Sequence, residues 1–507
     1  ALEGVPQGGT LKISFIGYEA TQVAASASPL TILLTPSSSQ LEDVIVVGYG
    51  TVKRKDVTTA ISSVSLADLA ERPIVSAGQA LQGKAAGVSV VQPNGAPGGE
   101  TSIRIRGTTS FNGSNDPLYV VDGVPVDNLN FVSPNDIADM QVLKDASSAA
   151  IYGSRAANGV VLITTKQGRS GDAKIALNVQ ATQNRVANRI NSLNAAQYKD
   201  LQDEIGFVNL PDGLTDRTNW FDETYKTGNN QNYQVAISDG TETLRYYLSG
   251  GYLNETGVIQ KAFFKRYNFR ANIENNVRSW LTVNANVAYS DYSNNGIITG
   301  QGANRGGVVL SVINTPTFAP IMDPFQPEQY YTNFYGVNIT SPLENIARSE
   351  RNKNRENRIV GSTSATIKFT PWLNFKSSFA LDRRNAVSTT FLDPLSTSWG
   401  RNQYGEGSDA RNINTLTTFD NVLTYQKTFG KHQVEAMAGS SWTSSLYSNN
   451  WVKATHYRNN LIETLNVANK INWGDTGSGA SQWAIMSYFG RFSYNYDSKY
   501  LITANMR

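Results

Sequence analysis

From Asp172 onward, apolar or aromatic residues alternate with small polar ones, and this period of two constrains the fold more than any other feature. Ile175, Leu177, Val179 and Ala181 interleave with Lys174, Ala176, Asn178 and Gln180. Tyr233, Val235 and Ile237 interleave with Gln234, Ala236 and Ser238, and Leu281 to Tyr289 and Phe492 to Tyr496 repeat the pattern. Successive side chains of a strand point to opposite faces, so each segment presents one apolar face and one face of Asn, Ser, Thr and Gln. The polar face of a sheet in water usually carries more Lys and Glu than this. A transmembrane β-barrel turns the apolar face to lipid and a polar face to its lumen. Tyr246, Tyr247, Tyr252, Trp280, Tyr289, Tyr292, Trp372 and Trp442 fall near segment ends, where amphipathic rings suit the headgroup level. The pattern favours the barrel, and a soluble antiparallel β-protein remains the competing reading.

Residues 291–308 and 321–358 are rich in Asn, Gly, Tyr and Arg and read as long loops. Tight turns on one rim and long loops on the other suit an outer-membrane barrel. No apolar run approaches the ~20 residues of a membrane-spanning helix, which leaves β-strands as the spanning element.

A chain of 507 residues exceeds one ordinary core, so it should divide into domains or form one large closed sheet. A net charge of +3 gives no electrostatic case for nucleic acid. The absence of Cys excludes disulfides, thiolate zinc sites, iron–sulfur clusters and Cys nucleophiles. Two separated histidines, His432 and His456, are all that a His-based metal site or catalytic triad could use. No acid–base pair is recognisable, so the reading is of a protein that is not an enzyme, with no catalytic residue, metal or cofactor.

Residues 1–34 hold two or three short alternations, too few strands to bury a core, and read as part of a small β-sandwich. A polar linker, Thr35–Gln40, leads into Leu41-Glu42-Asp43-Val44-Ile45-Val46-Val47-Gly48-Tyr49-Gly50. A short β-branched segment on a flexible tether can add a strand to a partner's sheet, with main-chain hydrogen bonds supplying affinity. An ordinary strand ending at a Gly turn is the plainer reading of these ten residues. Residues 51–168 mix signals: helical turns at 66–70 and 77–82, strands at 87–91, 102–106, 118–121 and 137–144, and an Ala-Ser-rich run at 146–152. This is a compact α+β unit.

At this point the chain resembles the SusC/RagA-like TonB-dependent outer-membrane transporters of Bacteroidota-type bacteria. Leu41–Gly50 resembles their Ton box region. Leu81–Val88, Ser102–Gly107, Pro117–Pro125 and Leu143–Val160 resemble plug motifs, and Tyr246–Tyr252 and Phe264–Tyr267 resemble barrel ones. The order and spacing of these motifs are more specific than any one of them. The resemblance implies a mainly β protein: the end of a carboxypeptidase-regulatory-like sandwich (1–34), a linker and Ton box (35–50), an α+β plug (51–168) and a transmembrane antiparallel barrel (169–507). No basic, apolar signal region opens the chain and it ends inside a strand pattern, so a fragment is expected. Family barrels are about twice as long.

The resemblance implies nutrient import, of oligosaccharide or peptide, with plug gating driven by TonB. The implied partners are TonB with its ExbB/ExbD-type energy complex, a SusD-like surface lipoprotein, outer-membrane lipid and a possible dimer of transporter–lipoprotein pairs. Glu42, Asp43, Val44, Ile45, Val46, Val47 and Gly48 would bind TonB in the periplasm. A siderophore or cobalamin receptor, and a secreted β-rich glycan-binding or adhesion protein, are the alternatives.

Within the plug, Arg104, Arg106, Asp122, Lys144, Asp145 and Arg155 are charges suited to pairing across a polar plug–wall interface. Plain structural pairing competes with a gating role. In the loop Gly107–Asp116, Phe111 could stack on a sugar ring while Asn112, Asn115 and Asp116 bond hydroxyls; an ordinary solvated loop fits as well. Gly78–Ala85 nearly matches a phosphate-binding loop, but Ala85 replaces the magnesium-binding hydroxyl and no strand precedes it.

Overall fold

The computed structural model describes residues 10–13, 21–24, 32–33, 44–53, 60–65, 74–92, 95–297 and 307–507. Glu42, Asp43 and the helical turn read at 66–70 lie outside them. The chain forms two compact units, Ala1–Thr58 and Thr59–Arg507.

In the first unit, Thr10–Ile13 pairs antiparallel with Thr21–Ala24. Val44–Val47 pairs antiparallel with Gly50–Lys53. The turn between them passes through Gly48 at φ +60°, a conformation that glycine adopts without steric cost.

The second unit begins with a five-stranded mixed sheet in the order Ile61–Ser65, Ile137–Leu143, Val160–Thr165, Leu118–Val121, Val124–Val126. Val160–Thr165 runs parallel to Leu118–Val121 and antiparallel to Ile137–Leu143. Its run Val160-Val161-Leu162-Ile163 is buried on both faces, as expected of a strand covered on both sides. The hairpin Leu118–Val126 turns at Asp122 (φ +49°) and Gly123 (φ +85°). Two successive positive φ angles make a type I′ turn, and Asp-Gly is among its preferred dipeptides. Leu81, Ile103, Ile137, Met140, Val142 and Val161 fill the core, and Ala288, Val360 and Ala380 of the large sheet join it.

The large sheet is an antiparallel meander of eleven strands, from Gly171–Asn184 to Tyr500–Met506, with Lys470–Ile471 added beside Ala454–Thr455. Tight turns at Ser279–Trp280, Pro371–Trp372 and Gly430–Lys431 lie at one rim, and long connections such as 185–227, 393–405 and 456–476 at the other. The residues 295–352 form another long connection, which carries helices Gly307–Asn314 and Pro342–Ala347. The next strand starts at Lys353, inside the segment read as loop from sequence. Its opening charges mimic a loop but sit in register with Asn294 to Asp291 of the preceding strand, and Arg355 bonds Asp291 there.

Register explains the alternation. Phe379, Phe419, Trp442 and Met486 stand opposite one another in consecutive strands and are 44%, 42%, 43% and 64% exposed. Their neighbours Ala380, Thr418 and Thr443 are 7%, 4% and 1% exposed on the other face. Tyr247, read with the belt of rings, lies on that inner face and is buried. Strands two, four, six, seven and eleven all bond the same small domain, through Gln234, Arg270, Arg358, Arg384 and Asn505. In a flat sheet, strands two and eleven would lie about 43 Å apart at ~4.8 Å per strand. The sheet therefore curves around the mixed-sheet domain, apolar face outward.

Candidate gating interface

Two charge clusters, one buried and one half-exposed, join the mixed-sheet domain to the wall around it. The first begins in the domain itself. Thr165 donates its backbone N–H to Asp122 Oδ1 (2.9 Å) and its hydroxyl to Oδ2 (2.7 Å), which fixes the carboxylate at the I′ turn. Arg270 then donates Nη1 to Asp122 Oδ2 across 3.0 Å, and its Nε lies 3.8 Å from Asp136 Oδ2. Asp136 Oδ1 accepts from Ser249 Oγ (2.7 Å), Tyr247 OH (3.0 Å) and Gln234 Nε2 (2.5 Å). Sheet register puts Ser249 opposite Arg270 and Tyr247 opposite Asn272, so these side chains converge on one patch. Asn272 Nδ2 completes the patch with bonds to Thr165 Oγ1 (2.8 Å) and the Lys166 carbonyl (2.7 Å).

The second cluster is centred on Arg358. Its guanidinium grips Asp382 bidentately, Nε to Oδ1 at 2.8 Å and Nη2 to Oδ2 at 2.6 Å. It also donates to Asp127 Oδ1 at 2.6 Å and Asn128 Oδ1 at 2.8 Å in the domain, and lies 4.5 Å over the Phe131 ring. Arg384 bridges Asp127 (3.0 Å) to Glu356 (2.6 Å). Burial alone would raise the Asp127 carboxyl; the two guanidiniums outweigh it and hold the group below the ordinary carboxylate range. Asp127 itself keeps 46% of its side chain exposed, so solvent screens its two ion pairs; Arg358–Asp382, 1% and 9% exposed, is the buried pair of this cluster.

A third set of contacts lies at the start of the domain. Asp145 Oδ2 accepts the Ala60 backbone N–H at 2.7 Å, and Asp145 also pairs with Arg106. These two partners hold the Asp145 carboxyl low, the backbone N–H most strongly. Lys144 Nζ lies 2.5 Å from Ser62 Oγ. The strand Ile61–Ser65, at the edge of the mixed sheet, is thus pinned by its pairing with Ile137–Leu143 and by these side chains.

The charges read from sequence therefore fall in several places. Asp122 meets the wall, while Arg106, Lys144 and Asp145 brace the edge strand. Arg104 is exposed on Ser102–Ile105, and Arg155 is half-buried on the helical turn Ala150–Ala156. Sequence reasoning missed Asp127, Asp136 and their wall arginines, and read Gln234 and Tyr247 only as a polar phase and a belt ring. The signal that could have found Arg270, Arg358 and Asp382 is a charge at the inward phase of an otherwise uncharged alternation.

The loop Gly107–Asp116 is stapled to itself. Asn115 Oδ1 accepts the backbone N–H groups of Thr109 and Ser110, each at 2.8 Å, and its Nδ2 donates to the Ser110 carbonyl at 2.8 Å. Asp116 accepts the Ser114 hydroxyl at 3.0 Å. Phe111 and Asn112 are exposed at the tip. Asp116 lines a cavity of about 190 Å³ with Glu100, Tyr119 and Asp127. Burial, with Asp116 and Glu100 adding to it, pushes the Tyr119 hydroxyl up.

Residues 53–160 match the family model of the TonB-dependent Receptor Plug Domain. TonB-dependent receptor P3 of Formosa agariphila is 34% identical over 505 residues, covering 98% of this chain and 49% of that protein. TonB-dependent receptor SusC of Bacteroides thetaiotaomicron is 30% identical over 530 residues, covering 99% of this chain and 52% of that protein. The RagAB peptide importer in its open-open state superposes with a TM-score of 0.78 at 26% identity, over 90% of this chain and 55% of that chain. The chain spans about half the length of the curated relatives it matches. Its mixed-sheet domain inside a curved antiparallel wall, and its similarity along nearly all 507 residues, place the chain in the SusC/RagA-like family of TonB-dependent receptors.

Proposed function

We propose that the whole protein imports a nutrient, oligosaccharide or peptide, across the bacterial outer membrane, with residues 51–168 as plug and 169–507 as part of the barrel. One observation carries this reading: a compact domain fills a curved sheet whose outer face is apolar, and charge pairs, Arg270–Asp122 buried and Arg358–Asp127 half-exposed, fasten the two. A domain meant to stay in place permanently could be held by apolar packing alone. Hydrogen-bonded charge pairs are directional, and they can be exchanged for water when the domain moves.

The segment Glu42–Gly48 is the proposed Ton box, facing the periplasm. A TonB-type protein with its ExbB/ExbD-type complex would add a strand to Val44–Val47 and pull. Force arriving from the N-terminal side would reach the Ala60–Asp145 hydrogen bond and then the edge strand Ile61–Ser65. Loss of that strand would expose Ile137–Leu143, whose C-terminal end leads to Asp145, and so loosen the plug from its edge inward. Arg104 and Arg155 belong to the same proposed gating set. Phe111, Asn112, Asn115 and Asp116 form a proposed substrate-contacting loop, with Asn115 shaping the loop and Phe111 offering its ring. A SusD-like surface lipoprotein is the proposed partner at the long-loop rim, and two such pairs would associate.

The test is deletion of residues 41–48 from the full-length gene. Uptake should disappear while substrate binding at the cell surface persists. Uptake that continues would remove this segment as the energy-coupling element.

A further inference from the structure

The long connections on one rim pack into an assembly with its own apolar cores. Trp220, Val312, Ala319 and Phe334 form one of them, and Trp220 Nε1 donates to the Pro316 carbonyl at 2.9 Å. Between the connections 185–227, 295–352 and 393–405 lies a cavity of about 820 Å³. That volume is within the ~300–1,000 Å³ of ordinary small-ligand sites.

Its walls are braced from behind. Glu344 is fully buried on the helix Pro342–Ala347. Its Oε1 accepts the Ser398 backbone N–H (2.7 Å), the Ser398 hydroxyl (2.6 Å) and Arg348 Nη2 (2.9 Å). One carboxylate thereby locks the helix Ser398–Asn402 to the helix Pro342–Ala347 and sets the position of Trp399. Asn345 Nδ2 donates to Ser311 Oγ at 3.0 Å and ties the same wall to the helix Gly307–Asn314. A cavity built this way keeps its shape without a ligand, so binding would cost little ordering.

The lining then decides what fits. Trp399 is 51% exposed and presents an indole to the cavity. Asn191, Asn314 and Asn402 line it with carboxamides, each of which can donate two hydrogen bonds and accept two. Arg348 is the sole charged side chain among the described lining residues, and Glu344 already neutralises it. An acidic ligand finds no free cation among the described lining residues. Among those described residues a peptide finds no free counter-charge for its termini. A flat apolar ring beside amides that both donate and accept matches a neutral sugar, which has an apolar C–H face and a rim of hydroxyls.

We propose that this loop cavity is a binding site for a neutral oligosaccharide, with Trp399 under a sugar ring and Asn402 and Asn314 on its hydroxyls. Calling that ligand the cargo rests on the import reading above; the binding itself does not.

The full-length protein in detergent is titrated calorimetrically with neutral hexasaccharides of glucose, xylose, mannose and galactose, and with hexagalacturonate and an uncharged hexapeptide. At least one neutral hexasaccharide should bind. Trp399→Ala, and Leu310→Trp placed to fill the cavity, should each weaken it at least tenfold, while Trp399→Phe keeps most of the affinity. Migration that depends on boiling verifies that each variant remains folded. No binding of any neutral hexasaccharide overturns the proposal. So does binding that neither Trp399→Ala nor Leu310→Trp changes, or a preference for hexagalacturonate or the hexapeptide that Trp399→Ala abolishes. Uptake of the bound sugar by cells separates the two readings. Binding lost in Trp399→Ala without any uptake by wild type sustains the site and sinks import; uptake with binding indifferent to both variants does the reverse.

Discussion

Arg358 of the wall and Asp127 of the plug meet through Nη2 and Oδ1 at 2.6 Å, while the same guanidinium grips Asp382 on the neighbouring strand. The wall strands thus hold Arg358 in place before the plug engages it, and Asp127 is the movable half of the pair. Replacing Asp127 with Asn should loosen the plug without unfolding the wall. The expected result is a raised single-channel leak conductance in planar bilayers, with an unchanged β-sheet spectrum. Leak equal to wild type would show that Asp127 is not part of what retains the plug.

Acid should act through the same residue. Asp127 titrates below its ordinary value in the folded protein, so its contribution is present above the unfolded carboxylate pKa of about 4. It is lost as pH falls through the lowered folded value. Asp145 shifts in the same direction. Leak conductance should therefore stay flat from pH 7 to about 5 and rise below about 4. In Asp127→Asn, the part of that rise due to Asp127 should be missing.

Arg270 and Asp122 form the other bridge, with side chains 4% and 9% exposed. Arg270→Met leaves the buried Asp122 carboxylate without its cation and takes one of two nearby cations from Asp136, Arg266 being the other. A loss of about 3–5 kcal/mol is expected. Adding Asp122→Asn should restore part of it, because that change removes one uncompensated charge. A double-mutant cycle by thermal unfolding in detergent measures the coupling. Additive effects would mean that the two side chains are neighbours without interacting.

How much of this was legible in the sequence depends on the residue. The alternation at Tyr233–Ile237 and Leu281–Tyr289 specifies two faces, and both segments fold as those strands. Strand ends were less legible. The strand Glu406–Phe429 runs for 24 residues, where a bilayer asks for about 10. Among its first residues, Glu406–Asn412, Ala410 is the one apolar side chain, so no hydrophobic contrast announces them as strand. Asp127, Asp136 and Arg358 could not be grouped at all. Asp127 lies 231 residues from Arg358 and Asp136 lies 134 from Arg270, and only the curvature of the sheet around the plug brings each pair together. Tyr247 carries the same lesson in reverse. Its ring suits a membrane belt, but the period of two places it inward, on Asp136.

The edge strand offers a mechanical prediction. Asp145→Ala removes the acceptor of the Ala60 backbone N–H and the partner of Arg106 at once. Single-molecule pulling from the N-terminal side of the full-length protein should then detach the strand Ile61–Ser65 at lower force. Asp139→Ala supplies the comparison, since Asp139 bonds Ser63 within the same strand pair at 2.9 Å but does not touch Ala60. If both variants detach at the same force as wild type, strand pairing alone sets the resistance and Asp145 has no part in it.

The junction between plug and wall is tested by two glycines. A Cβ on Gly168 would lie 2.3 Å from the Tyr246 backbone nitrogen and 2.6 Å from its carbonyl oxygen. Neither atom can move without disturbing the strand Leu244–Thr256, so Gly168→Ala must push the junction away from the wall. Gly83, at φ +70°, has open space around its would-be Cβ. Gly83→Ala therefore carries only the left-handed backbone penalty of about 1–2 kcal/mol. The expected ranking is a modest fall in Tm for Gly83→Ala and failure to reach the heat-modifiable folded form for Gly168→Ala. The reverse ranking would mean that the chain at residues 166–170 does not pass as close to Tyr246 as its lack of a side chain at Gly168 allows.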